Sequence, residues 1–165
     1  MSLNRIRWVL SVNLLAVALV SRAAVGGTIS GGVAFPGDTI PALTVVAVPE
    51  GGGAPLTVET KAGQRSYRLE VPEGRYIVFA IPHGTGVEDE PGQPPMRGAY
   101  SAFSECVLDH PEKAADGQCE DHSLRVVEVG AKHMRKHINL YDWYLPEQEK
   151  SRLLALTPGA RPSAR

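Results

Sequence analysis

Apolar and polar residues alternate with a period of two along most of the first half of this chain. Turn-forming clusters interrupt that alternation roughly every 8–12 residues, the spacing of a β-sandwich. Residues two apart share one face of a strand, so the pattern specifies strands with one face in a core. In Gly27 to Phe35 the residues Ile29, Val33 and Phe35 share a face, and Pro36-Gly37-Asp38 stops the run. Leu43, Val45 and Ala47 alternate with Thr44, Val46 and Val48, and a Gly-rich turn follows from Pro49 to Pro55. Leu56 to Thr60 alternates again, as do Tyr67, Leu69 and Val71 before the turn Pro72-Glu73-Gly74. Arg75 to Ile81 is apolar almost throughout, which predicts a central strand covered on both faces.

The rhythm stops at Pro82. Residues 82–98 are rich in Gly and Pro and carry the acidic run Glu88-Asp89-Glu90, so they read as a long surface loop. Residues 99–123 hold both cysteines and show no clear period. Strand character returns from Leu124 to Val129. Met134 to Leu140 reads as the last strand, with Met134, Ile138 and Leu140 on one face. Lys136 interrupts that face, so a helix stays open there. Residues 146–165 start as a short helix through Leu153 and Leu154 and end in a partly disordered Pro- and Gly-containing tail.

The N-terminus has a separate character. Arg5 and Arg7 precede an uncharged stretch from Trp8 to Val20, and Ser21-Arg22-Ala23 offers small residues where a signal peptidase cuts. Residues 1–23 are therefore expected to be a signal peptide, with an uncleaved anchor as the competing reading. The apolar stretch is short for a membrane span, which needs about 20 residues. Any membrane contact is expected only through an uncleaved signal. The segment holds three arginines and no acid, so its removal takes the net charge from −1 to −4. Across the whole chain 17 Lys+Arg face 18 Asp+Glu, a balance that argues against nucleic-acid binding. With 17 Gly and 13 Pro in 165 residues, turn formers exceed their average share of roughly 12%.

The run Gly27-Thr28-Ile29-Ser30-Gly31 followed by Leu43-Thr44-Val45-Val46-Ala47 resembles the start of carboxypeptidase regulatory-like domains. Tyr67 to Ala80, a strand, a Pro-x-Gly turn and a Tyr-bearing strand, is similar to that family's most recognisable run. The stretches Gly98-Ala99-Tyr100-Ser101, Asp121-His122-Ser123-Leu124 and Asp142-Trp143-Tyr144 look like those of a bacterial secreted subgroup of unassigned function. The resemblance covers about residues 26–145. It implies an all-β fold, a seven-stranded transthyretin-like Greek-key β-sandwich. On that reading residues 24–145 form the sandwich, residues 82–122 are a long disulfide-bearing insertion, and residues 146–165 are a tail. It implies no catalytic residues.

Cys106 and Cys119 in an exported chain are expected to form a disulfide. His133 and His137 share a face on either a helix or a strand, but only the helix brings them close enough to hold one metal ion. Asp109-His110 and Asp121-His122 flank the cysteine loop, so His110 and His122 are the alternative metal pair. The favoured role of His122 is structural, capping backbone groups near the last strands. Ser101, Ser104 and Ser123 lie near His122 in sequence, but no Gly-x-Ser-x-Gly elbow marks a nucleophile. Glu88-Asp89-Glu90 lacks the spaced acids of a calcium loop, and Gly51-Gly52-Gly53 lacks the Lys and helix of a phosphate cradle. No cofactor is expected.

Tyr100, Tyr141, Trp143 and Tyr144, with Phe103, are the aromatic set of a possible binding surface, and His122 joins them. The competing reading has Trp143 and Tyr144 closing one end of the sandwich. The composite expectation is a non-catalytic secreted or periplasmic binding or accessory module, its ligand a glycan or an envelope protein. The alternatives are a metal-assisted hydrolase using His110 and His122, and an assembly module that pairs through strand edges.

Overall fold

The structure is a computed structural model that describes residues 26–84 and 96–156. The expected signal peptide, the acidic run Glu88-Asp89-Glu90 and residues 157–165 of the tail lie outside the described residues. The elements, in chain order, are β1 Gly27–Gly32, β2 Leu43–Pro49, β3 Leu56–Thr60, β4 Ser66–Val71, β5 Gly74–Pro82 and β6 Gly98–Ala99. Then come α1 Ala102–Asp109, α2 Pro111–Ala115, β7 Val126–Val129, β8 Met134–Arg135 and α3 Glu147–Leu156.

The protein is mostly β, with eight described strands in two sheets, two of the strands only two residues long. One sheet has the order β4-β1-β8. The other runs β3-β2-β5, and β5 is long enough to pair with two partners on its far edge. Gly74 to Ile77 pair with β7, and Phe79 and Ala80 pair with β6. The sheets pack face to face over Ile29, Leu43, Val45, Ala47, Tyr67, Leu69, Val71, Val78, Val127 and Val129, all buried. The one-sided alternation of β1 and β4 follows from that arrangement: Tyr67, Leu69 and Val71 enter the core while Ser66, Arg68 and Glu70 face water.

β2 and β5 are apolar on both faces because a second core lies behind the larger sheet. Val46, Val48, Ile77 and Phe79 pack there against Ala99, Leu124, Leu145 and Leu153. Leu153, fully buried on α3, is the helix's anchor on that face. The short helix expected after residue 146 is thus a covering layer of the sheet. Each such fully buried Leu or Val contributes roughly 1.5–3 kcal/mol relative to exposure.

Two segments differ from the sequence expectation. Met134 to Leu140 is neither a continuous strand nor a helix. Only Met134 and Arg135 pair, in parallel with Thr28 and Ile29. His137 then takes a left-handed conformation, φ 63°, and contact resumes where Ile138 N–H donates to the Ser30 carbonyl and Leu140 bridges Val33. The detour passes close over Gly31, where a Cβ would stand 2.0 Å from the Ile138 carbonyl oxygen. Residues 99–123, which show no period, contain two helices. α1 starts because the Ser101 hydroxyl accepts from Ser104 N–H, and α2 starts with Pro111 in its first turn. Both are too short for a 3.6-residue apolar stripe to be read, and α2 has no buried residue.

Trp143 is buried in the core between the two sheets. Its indole N–H donates to the Ala34 carbonyl at 2.6 Å, and its ring meets Phe35 edge-on at 5.0 Å. The ring also lies on Gly98, where a Cβ would stand 2.4 Å from indole carbons. Gly98→Ala is therefore expected to cost roughly 1–3 kcal/mol by overpacking. Gly51→Ala, with nothing within 4 Å of its Cβ, should stay within about 0.5 kcal/mol of wild type. Urea denaturation of the two variants checks both values.

Candidate functional site

The segment Gly98 to Ser101 runs beside β5 and is held by the last part of the chain. Ala99 N–H donates to the Asp142 carbonyl at 2.9 Å, Tyr100 N–H to Val78, and Ala102 N–H to Ser123. Ser101 bridges Leu124. Three stretches far apart in sequence, residues 98–105, 119–125 and 139–145, thus meet at one place.

At their meeting point the Asp142 carboxylate is completely buried. A buried ionised carboxylate costs several kcal/mol unless its lone pairs are filled. Here they are. Ser101 Oγ donates to Oδ2 at 2.6 Å, Tyr144 N–H to Oδ1 at 3.2 Å, and His122 Nδ1 lies 3.0 Å from both oxygens. Donation to a carboxylate places the proton of His122 on Nδ1, so Nε2 is the ring atom open to a ligand. The imidazole stacks on Phe103 of α1, 4.9 Å between centroids at 13°, and its side chain is 24% exposed. The Cys106–Cys119 disulfide, present as expected, joins the helix carrying Phe103 to the chain three residues before His122.

Around this hub lies a second polar set. Tyr100 donates its hydroxyl to Glu105 Oε1 at 2.6 Å, and Arg125 Nε donates to Glu105 Oε2 at 3.0 Å. Burial, then the Glu105 hydrogen bond and charge, push the Tyr100 phenol well above its usual range. Asp121 accepts from Ser123 N–H at 2.9 Å, and its bonds to Ser123 hold its carboxyl below the ordinary value.

Of the expected binding residues, the structure buries Tyr100 and Trp143 and leaves Tyr141 half-buried. Tyr144 is 70% exposed. His122 and Tyr144 are brought together through Asp142, a residue the sequence reading did not single out. The expected role of His122 is to cap backbone groups; its partner in the structure is instead the Asp142 carboxylate. Ser101 bonds Asp142 rather than His122 and is fully buried, so the order is Ser–Asp–His. Acyl transfer needs the histidine between the other two. His110 pairs instead with Glu112 at 3.4 Å, away from Asp142. His133 and His137 are exposed on a non-helical segment. Among the described residues no three His, Cys, Asp or Glu side chains gather as a metal site. The signal that points to Asp142 is an acid two residues from Tyr144 and next to Trp143, amid apolar neighbours.

Two outcomes follow from this geometry. Asp142→Ala strands the buried Ser101 hydroxyl and Tyr144 amide, and should cost roughly 3 kcal/mol in chemical denaturation. It should also release the His122 ring, seen as altered imidazole NMR shifts. The second concerns alkali. The folded state raises the phenol values of Tyr100 and Tyr67, the latter mainly by burial. The stability tied to those neutral phenols is full below about pH 10, the unfolded value, and is lost as pH rises toward the folded values. The melting temperature of Tyr100→Phe should therefore fall less steeply above pH 10 than that of wild type.

No protein-family model matches the chain, and no curated protein or solved structure matches it. What the protein does has to be read from its own side chains.

Proposed function

We propose that this chain is a non-catalytic binding module of the periplasm or cell exterior. Its ligand surface centres on His122, Phe103 and Tyr144, with a glycan as ligand. The observation that carries this reading is the buried Asp142 carboxylate, which holds the His122 ring and the backbone of the exposed Tyr144 at once. An exposed tyrosine whose backbone shares the Asp142 carboxylate with a pinned, stacked imidazole suits a sugar: the Tyr144 ring offers an apolar face, and the His122 Nε2 offers a polar partner. Fixing those groups in advance lowers the ordering cost of binding.

The scaffold in this proposal is a transthyretin-like Greek key of the carboxypeptidase regulatory-like kind. Two packed sheets and the one-sided alternation of β1 and β4 support that finer reading. The disulfide supports export, since such bonds persist in oxidising compartments. No helix among the described residues is long and apolar enough to cross a membrane.

One observation favours an enzymatic second reading: a carboxylate orienting the Nδ1 of a partly exposed histidine is the base–orienter pair of many hydrolases. Against it, the Ser101 hydroxyl donates to Asp142 and not to His122.

Titration calorimetry with soluble peptidoglycan fragments and chito-oligosaccharides tests the proposal. Tyr144→Ala and His122→Ala are expected to weaken binding at least about tenfold, with melting temperature nearly unchanged for Tyr144→Ala. Full affinity in both folded variants would place the ligand elsewhere. Turnover of a bound substrate that His122→Ala abolishes would replace the binding reading with the hydrolytic one.

A further inference from the structure

The larger sheet carries a polar cluster that the His122 surface does not use. Thr44 of β2 stands opposite Glu59 of β3 on one side and Ile81 of β5 on the other. Pairing of β2 with β5 continues past the strand end, where His83 N–H donates to the Ala42 carbonyl at 2.9 Å. His83 is two residues beyond Ile81, so it shares a sheet face with Ile81 and Thr44. Register on both sides of β2 thus brings Glu59 and His83 together over Thr44. The spot lies at the margin of the second core, past its partly buried residue Ile81.

The contacts give each group a role. The Thr44 hydroxyl donates to Glu59 Oε1 at 2.7 Å. Its single proton is then used, so in its contact with His83 Nε2 the hydroxyl oxygen is the acceptor. The other carboxylate oxygen, Glu59 Oε2, lies 3.6 Å from His83 Nε2. That is too long for a hydrogen bond, whose range ends near about 3.2 Å. It is close to the about 3.4 Å that separates two ligands of a tetrahedral Zn²⁺ ion bound at about 2.0–2.1 Å. The His83 and Glu59 side chains are 50% and 66% exposed, so an ion reaches them directly from solvent.

The donor set decides which ion fits. An imidazole nitrogen with a carboxylate oxygen suits zinc, whereas Mg²⁺ and Ca²⁺ take oxygen ligands. Binding uses the Nε2 lone pair, which the neutral imidazole frees by carrying its proton on Nδ1. Thr44 holds Oε1 and leaves Oε2 turned to the ring, the kind of outer support that ligating carboxylates receive. His110 and Glu112 also face each other, at 3.4 Å, but they lie two residues apart where α2 begins, with no strand register to set them.

We propose that His83 Nε2 and Glu59 Oε2 bind a Zn²⁺ ion on the face of the larger sheet turned away from the smaller one, with Thr44 as the positioning residue. Two protein ligands leave the remaining coordination positions to water. The site shares no residue with the His122 surface, so it does not depend on the glycan reading.

The test is titration of the full chain with Zn²⁺, read by calorimetry and by the imidazole nitrogen NMR resonances. Wild type should bind with saturation, the His83 Nε2 resonance should move with the same midpoint, and Mg²⁺ over the same range should give neither signal. His83→Ala should remove the saturable phase. Glu59→Gln should weaken binding at least about tenfold, and Thr44→Val, which keeps a β-branched side chain on the strand, about tenfold. His110→Ala should leave the affinity unchanged. The wild-type resonances need no variant, so they decide the matter if a variant fails to fold. Absence of saturable binding by wild type overturns the proposal, as does undiminished binding by folded His83→Ala or Glu59→Gln. A resonance shift confined to His110, His133 or His137, or equal weakening by His110→Ala, overturns it in favour of unspecific surface chelation. Mg²⁺ binding as tight as that of Zn²⁺ overturns the choice of ion, and full affinity in Thr44→Val removes Thr44 from the site.

Discussion

A completely buried carboxylate constrains the rest of this molecule. Ser101, His122 and the amide of Tyr144 fill the oxygens of Asp142 in the interior. Each of those donors comes from a different stretch of chain, so filling the carboxylate and closing the fold are one event. The Ala99 amide, donating to the Asp142 carbonyl, couples the same residue to the edge of the larger sheet. What the protein exposes at this place, the stacked His122 and the open Tyr144, inherits its position from that buried charge.

The second constraint is the two-sided burial of β2 and β5. A sheet apolar on both faces needs cover on both, and one cover is the smaller sheet. The other is assembled late in the chain from Leu124, Leu145 and Leu153. α3 therefore completes a core that the first eighty residues leave open. Leu145, three residues after Asp142, and Leu153 of α3 share that second core, so the hub and the helix are held by neighbouring stretches of chain.

Charge is distributed with the same asymmetry. Exposed ion pairs pair cations locally elsewhere: Arg75 of β5 with Glu50, and Arg125, just before β7, with Glu105 of α1. Around β8, no ion pair joins Lys132, Arg135 or Lys136 to another described residue, and the segment is held by backbone hydrogen bonds. A nearly neutral chain can thus present a positive edge, and composition alone averages that edge away.

The strands up to Pro82 were legible in the sequence because each reports its own burial: Tyr67, Leu69 and Val71 alternate with polar residues whatever else the chain does. The apolar run of β5 announced cover on both faces, and the cysteine pair announced its own bond. What only the tertiary structure decided lies where the determining partner is distant in sequence. Asp142 looks like any surface acid until Ser101 and His122, 41 and 20 residues away, are seen to reach it. Trp143 and Tyr144 are neighbours of similar chemistry, yet one is core and the other 70% exposed, because only one of them meets Gly98 and Ala34. Met134 to Leu140 has the pattern of a strand, but the close passage of Ile138 over Gly31 breaks the pairing after Arg135. Periodicity is a local signal and records which face of an element is dry. Which buried charge is satisfied, and by what, depends on contacts between distant segments, and those are settled only when the chain has folded.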